Sequence, residues 1–323
     1  LKKVQITDKK YFHAIENSKD STTCLSGKEF ELAMEENSDK SFENIREKLL
    51  VANAGKKIGN AGRVVKVPLR ESFEGVKMKT AFSESHEKLF DSHFRKYFLD
   101  EGIDLEVERL PQECKSASLF SEGWVKTTTR KLESILDSLE RCGDNDLFIY
   151  ADADVSFYGG VKSDLQKLIS GYDILFQKDH NVIDENDFKV AAYCTGFFVA
   201  RANEKIKSLF EESIRKIKQN DTAGGVEFIH SDQSTVNSVI KLEKMSSIRR
   251  GFLPERYYTH GLYVEGIKDF SEENQSGLWW QNKTEEEKEN IYIPHNLKIH
   301  HANWCVGVEN KLELLNSIRR RFI

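Results

Sequence analysis

The sequence has no CxxC pair and no cluster of cysteine and histidine at zinc-site spacing, which removes structural zinc modules from consideration. Its five cysteines, Cys24, Cys114, Cys142, Cys194 and Cys305, are scattered and read as free thiols in a reducing compartment. No apolar run is long enough to span a bilayer. The most apolar stretch, "AAYCTGFFVA" (Ala191 to Ala200), is too short for that and reads as a buried strand. Net charge is small, −5 at pH 7, with lysines and glutamates interleaved rather than blocked, so no general affinity for nucleic acid or anionic membrane is implied. No internal repeat is visible. What is present is 39% apolar and 31% charged residues, the balance of a soluble globular protein with a real core. A cytoplasmic location is the expectation. The chain opens on Leu1 rather than Met and carries N-x-S/T sequons at Asn220, Asn274 and Asn282. A Golgi or secretory lumen is the alternative if an N-terminal anchor has been removed.

Residues 1–72 are rich in Ser, Lys, Glu and Asn and carry no chemistry; they read as a helical or partly irregular N-terminal extension. From Val76 onward, strand and helix patterns alternate. "VKMKTAFS" predicts a strand. "SESHEKLFDSHFRKYFLDEG" follows, a helix with Leu89, Phe90, Phe94, Tyr97 and Phe98 on one face. "IDLEVERL" alternates as a strand. "WVKTTTRKLESILDSLERCG" predicts a helix on Leu132, Ile135, Leu136 and Leu139, and "DLFIYADADVSF" a strand. A short helix ("GGVKSDLQKLISG"), two strands ("YDILFQKD", "VAAYCTGFFVARA") and a helix capped by Asn203 complete the series. This order argues for an α/β fold around a mostly parallel sheet flanked by helices, in residues 73–323.

Ligands of such sheets sit outside the carboxyl ends of the strands. "DLFIYADADVSF" ends there on Asp152 and Asp154. Two carboxylates this close repel, and burying either one unpaired is costly. A divalent cation removes the difficulty, and oxygen ligands suit Mn²⁺ or Mg²⁺, which in turn bind diphosphates. Two enzyme classes place acids like this. In a haloacid dehalogenase-like phosphatase, Asp152 would be the nucleophile. Ser156 stands where that motif wants Thr or Val, and its second acidic pair has no convincing place. In a nucleotide-sugar transferase, the pair holds the metal of the donor diphosphate.

Four ordered segments, "FIYADADVSF", "CTGFFVARAN", "SDQSTVN" and "HHANWCVGVENK", resemble the nucleotide-diphospho-sugar transferase family of GT-A fold, over roughly residues 75 to 315. The resemblance implies a GT-A-like (Rossmann-like) domain and a metal-dependent glycosyltransferase, a hexosyl- or pentosyltransferase. It would use a nucleoside-diphosphate sugar, expected to be a UDP-sugar, and a glycan or glycoprotein acceptor. It also implies roles. Asp154 would bind the metal directly, and Asp152 the ribose or a metal-bound water, beside Ala153. His301 would complete the metal site, with His300 as fallback. Gly307 would let the backbone approach the diphosphate, and Lys311 would pair with it. Ala81, Phe82 and Ser83 would read the base, and Lys131 would face the donor. Thr195 and Gly196 would wall the sugar. Asp232 and Gln233 would lie near the reacting carbon, with retention favoured over inversion. Trp279 and Trp280 are either an acceptor platform or the packing of a long loop. A glycan-binding protein on an inactive transferase fold is the non-enzymatic alternative.

Overall fold

A computed structural model describes residues 73–98, 100, 102–113, 123–144, 146–179, 193–223, 231–260 and 280–322. The expected N-terminal extension, Cys24, Cys114 and Trp279 lie outside the described residues.

Six strands form the main sheet. They are β1 (Val76–Ser83), β2 (Asp104–Leu110), β3 (Leu147–Ala151), β5 (Ile174–Lys178), β6 (Tyr193–Arg201) and β7 (Arg250–Phe252), in the order β2-β1-β3-β6-β5-β7. The pairs β1/β2, β1/β3 and β5/β7 are parallel. Only β6 runs against its neighbours β3 and β5. A second sheet holds the short strands β4 (Val155–Phe157), β8 (Tyr257–Thr259) and β9 (Ile299–His301) in the order β4-β9-β8.

The central strands are apolar on both faces because both are covered. Leu147, Ile149 and Ala151 of β3 join one core with Phe197 and Val199 of β6. Phe148 and Tyr150 join the other with Phe198. Period-two alternation sends successive side chains to opposite faces, so a strand buried twice shows as a continuous run. Helix α1 (Trp124–Glu140) covers the second face with Leu132, Ile135 and Leu139, beside α3 (Glu204–Ala223) and α4 (Asp232–Val239). The Asn203 side chain accepts the Ile206 N–H at 3.1 Å, capping α3 as its position predicts. Helix α2 (Lys162–Leu168) stands on the first face, and α5 (Glu285–Glu289) and α6 (Val308–Phe322) follow near the C-terminus. Among the described residues, no helix is long and apolar enough to cross a membrane.

Two expectations need correction. The segment expected to be one helix after β1 is a 3₁₀ turn, Glu84–His86, a single α turn, Glu87–Leu89, and a π-helical stretch, Phe90–Arg95. The widened stretch buries Phe90 and Phe94, whose rings lie 5.4 Å apart, with Phe94 set edge-on to Phe157 at 5.1 Å. "DLFIYADADVSF" is two strands rather than one. Pairing to the main sheet stops at Ala151, and β4 pairs with β9 of the smaller sheet instead.

Asp173, at the entry to β5, is buried and accepts from Arg249 Nη2 at 2.8 Å, Nε at 3.1 Å and the backbone N–H at 2.9 Å. Burial alone would raise its carboxyl, but the Arg249 hydrogen bonds outweigh it and hold the group below the ordinary range. A depressed carboxylate stabilises the fold fully above its unfolded pKa, about 4, and loses that contribution as pH falls through the folded value. Thermal melts of wild type and Asp173→Asn should therefore differ most near neutrality and converge in acid. A gap that is constant with pH would exclude the ion pair as its source.

Candidate functional site

The two acids occupy the gap between the sheets. Asp152 N–H still donates to Gly196 O at 2.7 Å, the last bond to β6. A turn follows, with Val155 N–H on Asp152 O at 3.1 Å, and Ala302 N–H then donates to Asp154 O at 3.1 Å. In the β4/β9 register Val155 faces His301. That pairing carries a histidine from the far end of the chain to the acids. Asp152, Asp154 and His301 each offer a ligand atom, and these atoms lie within 4.8 Å of one another. Hard oxygen donors and an imidazole suit Mn²⁺ or Mg²⁺. Gly196 makes the room for them, since a Cβ there would come within 2.7 Å of both nitrogens of the His301 ring. His300 turns the other way. Its ring lies 5.6 Å from that of Tyr258, fully buried, and it does not join the group.

Two lysines reach the acids. Lys131 Nζ lies 2.9 Å from either oxygen of Asp152 and 2.8 Å from Asp232 Oδ2. Lys311 Nζ lies 2.6 Å from Asp154 Oδ2, and His301 Nε2 lies 3.3 Å from Oδ1. Burial would raise the Asp154 carboxyl, but Lys311 and then His301 outweigh it and hold it well below its usual value. Burial would lower the His301 imidazole, yet Asp154 drives it well above. The Asp152 carboxyl is pushed up by burial, with Lys131 opposing. These are mutually dependent ion pairs in a low-dielectric pocket.

Thr195 Oγ1 donates to Asp232 Oδ2 at 2.7 Å, and its N–H to Gln233 Oε1 at 3.3 Å. Ser231 caps α4 by accepting from Ser234 N–H at 3.2 Å, which fixes Asp232 and Gln233 in the first turn. Lys131, Asp152, Thr195, Asp232 and Gln233 thus share one network. Gly307, at φ +84°, starts α6, and Lys311 lies one turn along it.

The base-reading candidates end β1. Ala81 and Ser83 are buried, and Phe82 stacks on Phe90 at 4.7 Å as part of the core. The Ala153 side chain also belongs to that core. Trp280 is fully buried with Tyr258, Ile291 and Leu315, so it packs the loop onto the body and offers no open stacking face.

Several residues escaped the sequence reading. Asp179, just past β5, accepts from Gln233 Nε2 at 3.0 Å, from Trp304 Nε1 at 3.1 Å and from Asn303 Nδ2. It is one more acid closing an apolar strand, the signal that marked Asp152. Trp304 has φ 53°, a conformation rare for a bulky side chain, and such strain gathers at working sites. Tyr150 OH donates to Asp152 Oδ1 at 2.8 Å. His86, its pKa lowered to about 4 by burial and then by Lys311, lies close enough to sense the same charges.

Paired acids, two lysines and a histidine thus meet just beyond the carboxyl end of the central strand β3. The profile of the nucleotide-diphospho-sugar transferases matches residues 84–315, and the chain belongs to that family of glycosyltransferases. A search of curated proteins found no match. Among solved structures the chain is similar to the galactosyltransferase LgtC with donor and acceptor sugar analogues, at 13% identity and TM-score 0.42, covering 75% of this chain and 96% of that one. It is similar to the glycosyltransferase GlyE of Streptococcus pneumoniae at 13% and 0.42, covering 76% and 60%. For mouse xyloside xylosyltransferase 1 the values are 8% and 0.41, covering 71% and 98%.

Proposed function

We propose that this glycosyltransferase is metal-dependent and moves a sugar from a UDP-sugar to a glycan or protein hydroxyl with retention. The observation that carries the reading is the convergence of Asp152, Asp154 and His301 on one point, with Lys131 and Lys311 already on the acids. Asp154 and His301 would hold the cation, with Asp152 beside them. A bound cation would stabilise the charge developing on the departing diphosphate. Lys311 would turn from Asp154 to the phosphates, with the Gly307 backbone beside it, and Lys131 would orient the donor side. Ala81, Phe82 and Ser83 would border the base, and Thr195 and Gly196 the sugar.

Retention is supported by the state of Asp232. Burial would raise its carboxyl, but Lys131 and the Thr195 hydroxyl outweigh that and hold it below the usual range. A carboxylate held this firmly is a poor base toward an acceptor hydroxyl. In a retaining reaction the donor phosphate takes that proton. Gln233, oriented by Thr195 and Asp179, is left to contact the reacting sugar.

A panel of UDP- and GDP-sugars with and without Mn²⁺ tests this. A UDP-sugar plus Mn²⁺ should give slow donor hydrolysis and raise stability by about 2.7 kcal/mol at a hundredfold excess over Kd. That is roughly 5–10 °C in melting temperature. Metal-indifferent sugar binding, or phosphate release from simple phosphoesters with a covalent intermediate trapped on Asp152, would refute it.

A further inference from the structure

His301 meets Asp154 through Nε2, and its ring must be held in that orientation. Strand β6 holds it with two residues. At Gly196 there is no side chain, and the imidazole lies in the space a Cβ would take. Two residues earlier, Cys194 Sγ lies 3.5 Å from His301 Nδ1. Among the described residues Nδ1 has no other partner.

We infer that Cys194 is a positioning residue for the cation site: its sulfur accepts the Nδ1 hydrogen of His301 and so keeps Nε2 directed at Asp154. The inference rests on the reading of His301 as a metal ligand. A neutral imidazole has one N–H, and the partner of one nitrogen decides which atom is left as a ligand. Metal-binding histidines ordinarily settle this with a carboxylate or carbonyl, and replacing that partner weakens metal binding about 10–100-fold. Here a buried thiol fills the role. Sulfur is a weak acceptor, so a hydroxyl can replace it, whereas a methyl group cannot. Without an acceptor the ring loses the contact that distinguishes its two faces, and it can turn its N–H toward the cation.

Serine and alanine are both smaller than cysteine, but only serine accepts a hydrogen bond. That separates positioning from packing. Mn²⁺ binding to the full chain can be followed by the EPR signal of the free ion, with UDP present. Cys194→Ala should bind about 10–100-fold more weakly than wild type, and Cys194→Ser should recover most of the loss. Melting temperatures in metal-free buffer should agree among the three. Equal weakening in both variants would assign Cys194 to packing and overturn the inference. Unchanged binding by Cys194→Ala would overturn it while leaving the cation site intact. Absence of Mn²⁺ binding by wild type would remove the cation site and the inference together.

Discussion

Asp154→Asn should reduce donor hydrolysis by about 10²–10³-fold, the usual cost of removing a main stabiliser of developing charge. The residue is 4% exposed, and its side chain joins Lys311 to His301. Asparagine keeps its volume but not its charge. Lys311 would then face an amide, and a divalent ion would lose a ligand while meeting an unpaired ammonium group. The reaction should fall through kcat, and Mn²⁺ binding should fall with it. UDP release measured per folded molecule separates this from loss of protein. Activity within tenfold of wild type, still dependent on Mn²⁺, would show that the cation sits elsewhere.

Lys131→Met should have the largest effect on stability. The ammonium group lies between Asp152 and Asp232, and removing one partner of a buried ion pair costs about 3–5 kcal/mol. With the His301 imidazole neutral, as metal ligation requires, three carboxylates, Asp152, Asp154 and Asp232, face two lysines, leaving one negative charge. A divalent cation alone would turn that into one positive charge, and a doubly charged diphosphate alone into three negative ones. Together they restore the starting balance, so cation and donor should bind cooperatively in wild type. In the methionine variant the balance is two negative charges, which a cation alone neutralises. Calorimetry should show a melting temperature lowered by roughly 10 °C, with Mn²⁺ stabilising the variant more than wild type in the absence of nucleotide. An equal Mn²⁺ shift in both proteins would contradict this charge accounting.

The parts of the fold legible in the sequence are those whose side chains repeat a period. Strand β1 is the predicted "VKMKTAFS" residue for residue, and α1 falls where its leucines place it. Strands β7, β8 and β9 are three residues each, too short to show any period, and they pass unseen. The break between β3 and β4 is hidden for another reason, because both flanks are apolar and only pairing partners distinguish them. In the site, ordered motifs supplied Asp152, Asp154, Lys311 and both histidines. Alternation along an extended segment said that one of His300 and His301 must point away, without saying which. The β4/β9 register decides it. Asp179 was missed although it ends an apolar strand, since a lone acid there lacks the repulsion that makes a pair conspicuous. For Trp280 the sequence left a sugar platform and loop packing open, because an aromatic in a polar loop fits both, and its full burial favours packing.

The acids belong to neither sheet, lying after the last β3 residue and before the first of β4. The six-stranded sheet can therefore be complete while the cluster of Asp152, Asp154, His301 and Lys311 is still unmade. Foldedness and competence are separate quantities in this chain. A substitution in β8, β9 or α6 could leave the backbone spectrum almost untouched and yet produce a well-folded, inert protein. Damage of that kind is visible to a metal or nucleotide probe before any measure of secondary structure records it.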